Sequence, residues 1–203
     1  LMKKSKIGLF LVLMLFVGVC GLLYPSVSQY WNTKTQSRAV TNYQEILASI
    51  KTEDYTAYFD AANKYNQDLS ELSFPLLDYG ALQNYEQTLN IAGNGVMGFI
   101  TINKIGVELP VYHGIAAEIL NIACGHLEGT SLPVGGESTH CVLSAHRGLP
   151  HAKLFTELDK MEIGDTFSFT ILDRTITYEV DQIRIVEPHD TSLIVMEEGA
   201  QAD

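Results

Sequence analysis

Apolar and polar positions divide the chain into four stretches with different periods. Ile7 to Tyr24 is an uninterrupted run of eighteen residues without charge, a helix of about 27 Å, close to the thickness of a bilayer's hydrocarbon. Lys3, Lys4 and Lys6 precede it and no lysine follows soon after, which places the N-terminus in the cytoplasm and the rest outside. Pro25 ends the run, and Tyr24, Tyr30 and Trp31 suit the outer interface. Ser26-Val27-Ser28 loosely resembles a signal-peptide cleavage site, but the run is long for a signal peptide and favours an uncleaved anchor. Val19 does not supply the small residue expected before a lipidated Cys20.

Residues 33–70 carry a helical period. Ala39, Val40, Tyr43, Ile46, Leu47 and Ile50 form one stripe, and Tyr55, Phe59, Ala62, Tyr65 and Leu69 a second. Thr52-Glu53-Asp54 reads as the break and new cap between them. Both stripes are packing faces. Residues 70–95 are irregular, with a short polar helix before Gly93-Asn94-Gly95. A long connection whose apolar residues need cover is the usual composition of a lid, and a plain linker reads the same way.

From Val96 the period shortens to two. Phe99 to Asn103 and Val107 to Tyr112 predict strands, Glu118 to Ile122 a helical turn, and Gly125 to Gly136 a loop. Ala152 to Met161 predicts a helix with Leu154, Phe155, Leu158 and Met161 on one side. Phe167, Phe169 and Ile171 alternate, as do Ile176, Tyr178 and Val180, with Asp173-Arg174 as a hairpin turn and Ile183 and Ile185 continuing the second strand to Pro188.

Charge narrows the partners. The formal net charge is -11, and apart from the three leading lysines 10 basic residues face 24 acidic ones. Such a surface repels nucleic acid. Three cysteines, Cys20, Cys124 and Cys141, give no disulfide framework, and Cys124 and Cys141 read as buried inert thiols.

The stretch Thr139 to Pro150 is the candidate for chemistry. Residues 141–145 suit a buried strand, His146 stands where it ends, and Arg147, Gly148 and Pro150 break the pattern. A histidine at the mouth of a core strand is held rigidly while its ring can face substrate, the placement a general acid or base needs. Cys141 is not its partner: five extended residues span about 16 Å and an odd offset points the side chains to opposite faces. His140 and His146 lie roughly 20 Å apart on a strand, too far to share a metal. His113, His151 and His189 have no partners at ligand spacing, so neither metal nor cofactor is expected.

Several longer motifs resemble one family. Val-Met-Gly-Phe-Ile-Thr-Ile (96–102), Leu-Pro-Val-Tyr-His-Gly (109–114), Gly-His-Leu-Glu-Gly-Thr-Ser-Leu-Pro-Val-Gly-Gly (125–136), Ser-Ala-His-Arg-Gly-Leu-Pro-His-Ala-Lys-Leu-Phe-Thr (144–156) and Tyr-Glu-Val-Asp (178–181) resemble the sortases, specifically class C, the pilin-polymerising kind of Gram-positive bacteria. The resemblance implies a mainly β fold, a closed barrel of about eight strands, incomplete here, behind a membrane helix and an N-terminal helical and lid segment. It divides the chain into a stub and anchor (1–24), extracytoplasmic helices (25–69), a lid-like loop (70–95) and a barrel domain (96–203). It implies a cysteine transpeptidase that cuts a Leu-Pro-x-Thr-Gly-like sorting signal between Thr and Gly and joins it to a pilin lysine, with His146 as acid and base. Pilins or cell-wall surface proteins are the implied partners, and the cell membrane the location.

Two departures from the family pattern follow. The Thr-Leu-x-Thr-Cys strand and the arginine after it are absent, so the expectation is a chain cut before its nucleophile and inactive as it stands. The Asp-Pro-aromatic lid motif is also absent, and Phe74, Pro75, Asp78 and Tyr79 are the lid residues the region offers. His126, in the Gly-His-Leu-Glu-Gly loop, reads as structural or pocket-lining. A housekeeping sortase that attaches proteins to the cell wall, and a membrane-anchored binding domain without enzymatic activity, are the alternative readings.

Overall fold

The structure, a computed structural model, describes residues 2–50, 55–187, 190 and 194. Its first element is one continuous helix, α1 (Met2–Ser49). The apolar run from Ile7 is exposed along its length, with Leu15 68% and Leu22 81% accessible. The helix does not stop at Pro25 but carries it in its interior. A proline there removes one backbone hydrogen bond, and the helix continues because its lower half is held by tertiary packing. Val40 and Tyr43 are buried against Val96 and Phe99, and the Tyr43 hydroxyl donates to the Met97 carbonyl (3.0 Å) while accepting from the Leu172 amide (2.9 Å).

The second helix, α2 (Tyr55–Ser70), buries the predicted stripe of Tyr55, Phe59, Ala62, Tyr65 and Leu69. The expected break at Thr52-Glu53-Asp54 lies outside the described residues. A single turn, α3 (Pro75–Asp78), follows, with Pro75 pre-set for the first helical position. Tyr85 and Leu89 then anchor the long connection in the core.

Among the described residues, six strands form one curled sheet: β1 (Val96–Ile102), β2 (Val107–His113), β3 (Cys124–His126), β4 (Leu143–Ser144), β5 (Thr166–Ile171) and β6 (Arg174–Glu179). Their order is β4-β3-β2-β1-β5-β6. All pairings are antiparallel except β2 with β3. A one-turn helix, α4 (Ala117–Leu120), makes the crossover that a parallel pair requires. With β4 and β6 at its two ends, the sheet is a half-barrel. Its concave face encloses a cavity of about 400 Å³ walled by Ile100, Leu143, Phe155, Phe169 and Tyr178.

Several expectations need correction. "Mainly β" describes only the sheet region, because α1 and α2 have 48 and 16 residues. Residues 125–136 are not all loop: Cys124, Gly125 and His126 pair with Val111, Tyr112 and His113. Glycine at 125 hides this strand from propensity, yet the ladder requires it, since a Cβ there would lie 2.3 Å from the Gly114 carbonyl oxygen. The focal strand shrinks to Leu143–Ser144. Residues 152–161 form turns and one 3-10 turn, Leu158–Lys160, although Ala152, Leu154, Phe155 and Met161 are buried as expected. The last strand stops at Glu179, leaving Ile183 and Ile185 exposed, and Pro188 is outside the described residues.

Candidate active site

The β3–β4 ladder pairs Gly125 with Ser144, and the chain leaves the sheet at once to present His146. The residue is half-buried. Its backbone carbonyl accepts from the Phe155 amide (3.1 Å). On the other side its ring Nδ1 lies 2.8 Å from the Leu120 carbonyl oxygen. A carbonyl only accepts, so Nδ1 carries a hydrogen, and in the neutral ring Nε2 holds the lone pair. The ring is therefore fixed in orientation and tautomer, with one nitrogen committed to structure and the other able to exchange a proton. Arg147 beside it is exposed and pairs with Asp159 (3.0 Å).

The two thiols of the sheet region are poor nucleophiles. Cys124 on β3 is fully buried, and burial pushes its thiol up to about 12. Cys141 sits on the cavity wall with its thiol held above the usual range by burial and then by nearby Cys124. Both remain protonated near neutrality, and the thiolate is the reactive form. His146 is not on the cavity wall, so that hollow belongs to the inner face of the sheet and not to the imidazole.

His126 and His113 serve the fold. His126 has no accessible surface. Its Nε2 donates to the Ser131 carbonyl (2.8 Å), and its Nδ1 accepts from the Tyr85 hydroxyl (2.8 Å). Burial, opposed by the Ser131 bond and aided by nearby His113, lowers its pKa to about 4. His113 faces the carbonyls of Gly95 (2.9 Å) and Thr88 (2.8 Å).

The proposed lid residues meet the sheet at a different place. Phe74 and Asp78 are exposed, while Pro75 and Tyr79 are half-buried. The backbone of Pro75 and Leu76 rests on Gly129, where an added Cβ would lie 2.7 Å from the Pro75 carbonyl oxygen. Gly129 has φ +82°. Glycine is thus required twice, for the turn and for the contact. Gly129 belongs to the loop at the far end of the β3–β4 pair from His146. This seat has no short motif in the sequence. The one signal for it is a glycine inside Leu-Glu-Gly-Thr.

Comparison with known proteins agrees with the geometry. The sortase domain model matches residues 100–202. Sortase D of Bacillus subtilis is 32% identical over 100 residues, 49% of this chain and 48% of that protein, so the match spans about half the relative's length. The crystal structure of sortase C1 from Streptococcus agalactiae is 40% identical, with TM-score 0.72, over 81% of this chain and 86% of the other. Sortase C-1 from Actinomyces oris is 38% identical, with TM-score 0.65, over 72% of this chain and 84% of the other. With a matching domain model over its β region and close likeness to solved sortases over most of its length, this chain belongs to the sortase family.

Proposed function

We propose that this chain is a membrane-anchored class C sortase that joins pilin subunits, with His146 as its proton-transfer group. The supporting observation is the ring at the mouth of β4, tied by Nδ1 to the Leu120 carbonyl and presenting Nε2. The pilus-associated sortases among its structural relatives set the substrate class. The chemistry starts from a thiolate, a state that burial denies both Cys124 and Cys141. The thiolate attacks the Thr–Gly carbonyl of a Leu-Pro-x-Thr-Gly-like signal and forms a thioester. His146 Nε2, having taken the thiol proton, gives it to the departing glycine amine, then takes a proton from the attacking lysine amine and returns it to the leaving sulfur. A guanidinium aimed at the carbonyl oxygen stabilises the oxyanion. The exposed apolar run of α1 crosses the membrane, and the sheet lies outside the cell. His146→Ala in the full-length enzyme is expected to abolish pilus polymer ladders on gels. Ladders of normal length would refute the assignment.

A further inference from the structure

The anchor helix touches both loops that frame His146. Asn32 and Gln36 are four apart on α1 and so share one face of it. The Gln36 side-chain amide donates to the Ile122 carbonyl (2.6 Å). Asn32 donates to the His151 carbonyl (2.9 Å). Ile122 belongs to the turn that includes Leu120, the residue whose carbonyl holds the His146 ring. That turn is bonded internally: Asn121 donates to Ala117, and Ile122 and Ala123 both donate to Ile119. It moves as a unit, so a force on Ile122 reaches Leu120. His151 lies in the loop that leaves His146, just ahead of the Phe155 amide that grips the His146 carbonyl. The space left between α1 and the Ile122–Ala123 turn is only about 10 Å³, at the lower limit for one water molecule. The helix cannot drift in this seat, because Val40 and Tyr43 are buried one and two turns further on.

We propose that Gln36 and Asn32 are positioning residues for His146, so that the membrane helix is part of the proton-transfer apparatus as well as its tether. Gln36 holds the Leu120 turn against the imidazole, and Asn32 holds the loop behind it. The proposal rests on the assignment of His146 made above, and its test separates the two.

The full chain is placed in detergent micelles and the ring nitrogens of His146 are read by ¹⁵N NMR. The native protein is expected to show the Nδ1–H form. Gln36→Glu replaces a donor by an acceptor of the same size facing the Ile122 carbonyl, and with Asn32→Asp it should shift His146 toward a mixture of tautomers. Gln36→Lys keeps a donor and should restore the native signature. In the full-length enzyme the double variant should form polymer roughly tenfold more slowly, with substrate affinity retained, as expected for a displaced catalytic group. An unchanged His146 spectrum in the double variant would overturn the proposal. So would a shift that Gln36→Lys reproduces, because loss of packing and not of the donor would then be the cause. Normal polymer from His146→Ala would overturn the functional assignment and leave the NMR result standing.

Discussion

His126 and His146 sit at opposite ends of one short β3–β4 pair, and their surroundings assign them opposite work. His126 has both ring nitrogens committed and no exposed surface. His146 has one nitrogen committed to a carbonyl and remains half-buried. A buried ring with every partner satisfied contributes to stability and has nothing to offer a substrate. A ring fixed at one nitrogen only is pre-oriented and still reactive. Identical side chains are thus separated by what is left unpaired.

Exchanging the two roles by mutation is the strongest way to break this contrast. His146→Ala should cost 100-fold or more in polymerisation, the usual range for a lost general acid or base, while thermal unfolding stays within about 1 kcal/mol of native. His126→Ala should do the reverse. It empties a buried site and takes the ring-nitrogen partner from the Tyr85 hydroxyl, at about 2–4 kcal/mol. Chemical denaturation of both variants, read beside polymer ladders, checks the pair. Loss of activity without loss of stability at His126 would dissolve the distinction.

Acid sharpens the same contrast. The folded-state pKa of His126 is about 4, against 6.5 for the free side chain. The unfolded chain therefore binds the proton more readily. The contribution of His126 to stability is complete above pH 6.5 and is lost as pH falls to 4, amounting to about 3 kcal/mol at most. Denaturation between these limits should show stability rising with pH, and His126→Gln should flatten the slope in that window. An equal slope in the variant would place the neutral ring elsewhere.

His146 stood out in the sequence as a candidate because a strand pattern, a histidine and a Gly/Pro break follow one another at 141–150. The stripes on α1 and α2 were legible for the same reason, since Phe59, Ala62 and Leu69 recur at helical spacing and are buried. What stayed hidden depends on contacts distant in sequence. Gly125 belongs to a strand only because Gly114 lies against it. Tyr85 meets His126 across 41 residues and Gln36 meets Ile122 across 86. Residues 152–161 show the opposite failure. Their apolar spacing suggested a helix, but the same side chains are buried from a series of turns pinned by Phe155 to His146 and by Lys153, which donates to the Ile105 carbonyl (2.5 Å). Burial was legible there, but backbone shape was not.

A smaller effect is expected where the lid segment meets the sheet. Gly129→Ala forces a Cβ into the Pro75 carbonyl at a positive φ, costing about 1–3 kcal/mol. Part of that cost is relieved if residues 74–79 lift away. Amide exchange in α3 should rise while β1 and β5 stay protected. Uniform loss of protection would mean that this contact supports the whole fold.

The smallest effect on stability belongs to Phe74, whose side chain is 65% exposed beside Leu77 at 80%. Two open apolar side chains on a segment seated by its backbone contribute little to folding, so Phe74→Ser should leave stability within about 0.5 kcal/mol of native. A lid acts on access and on water, not on folding. The same variant in the full-length enzyme should therefore change the ratio of hydrolysed to lysine-joined product, measured by mass spectrometry. If the ratio and the stability are both unchanged, residues 70–95 are a linker, and the region around His146 opens to substrate without them.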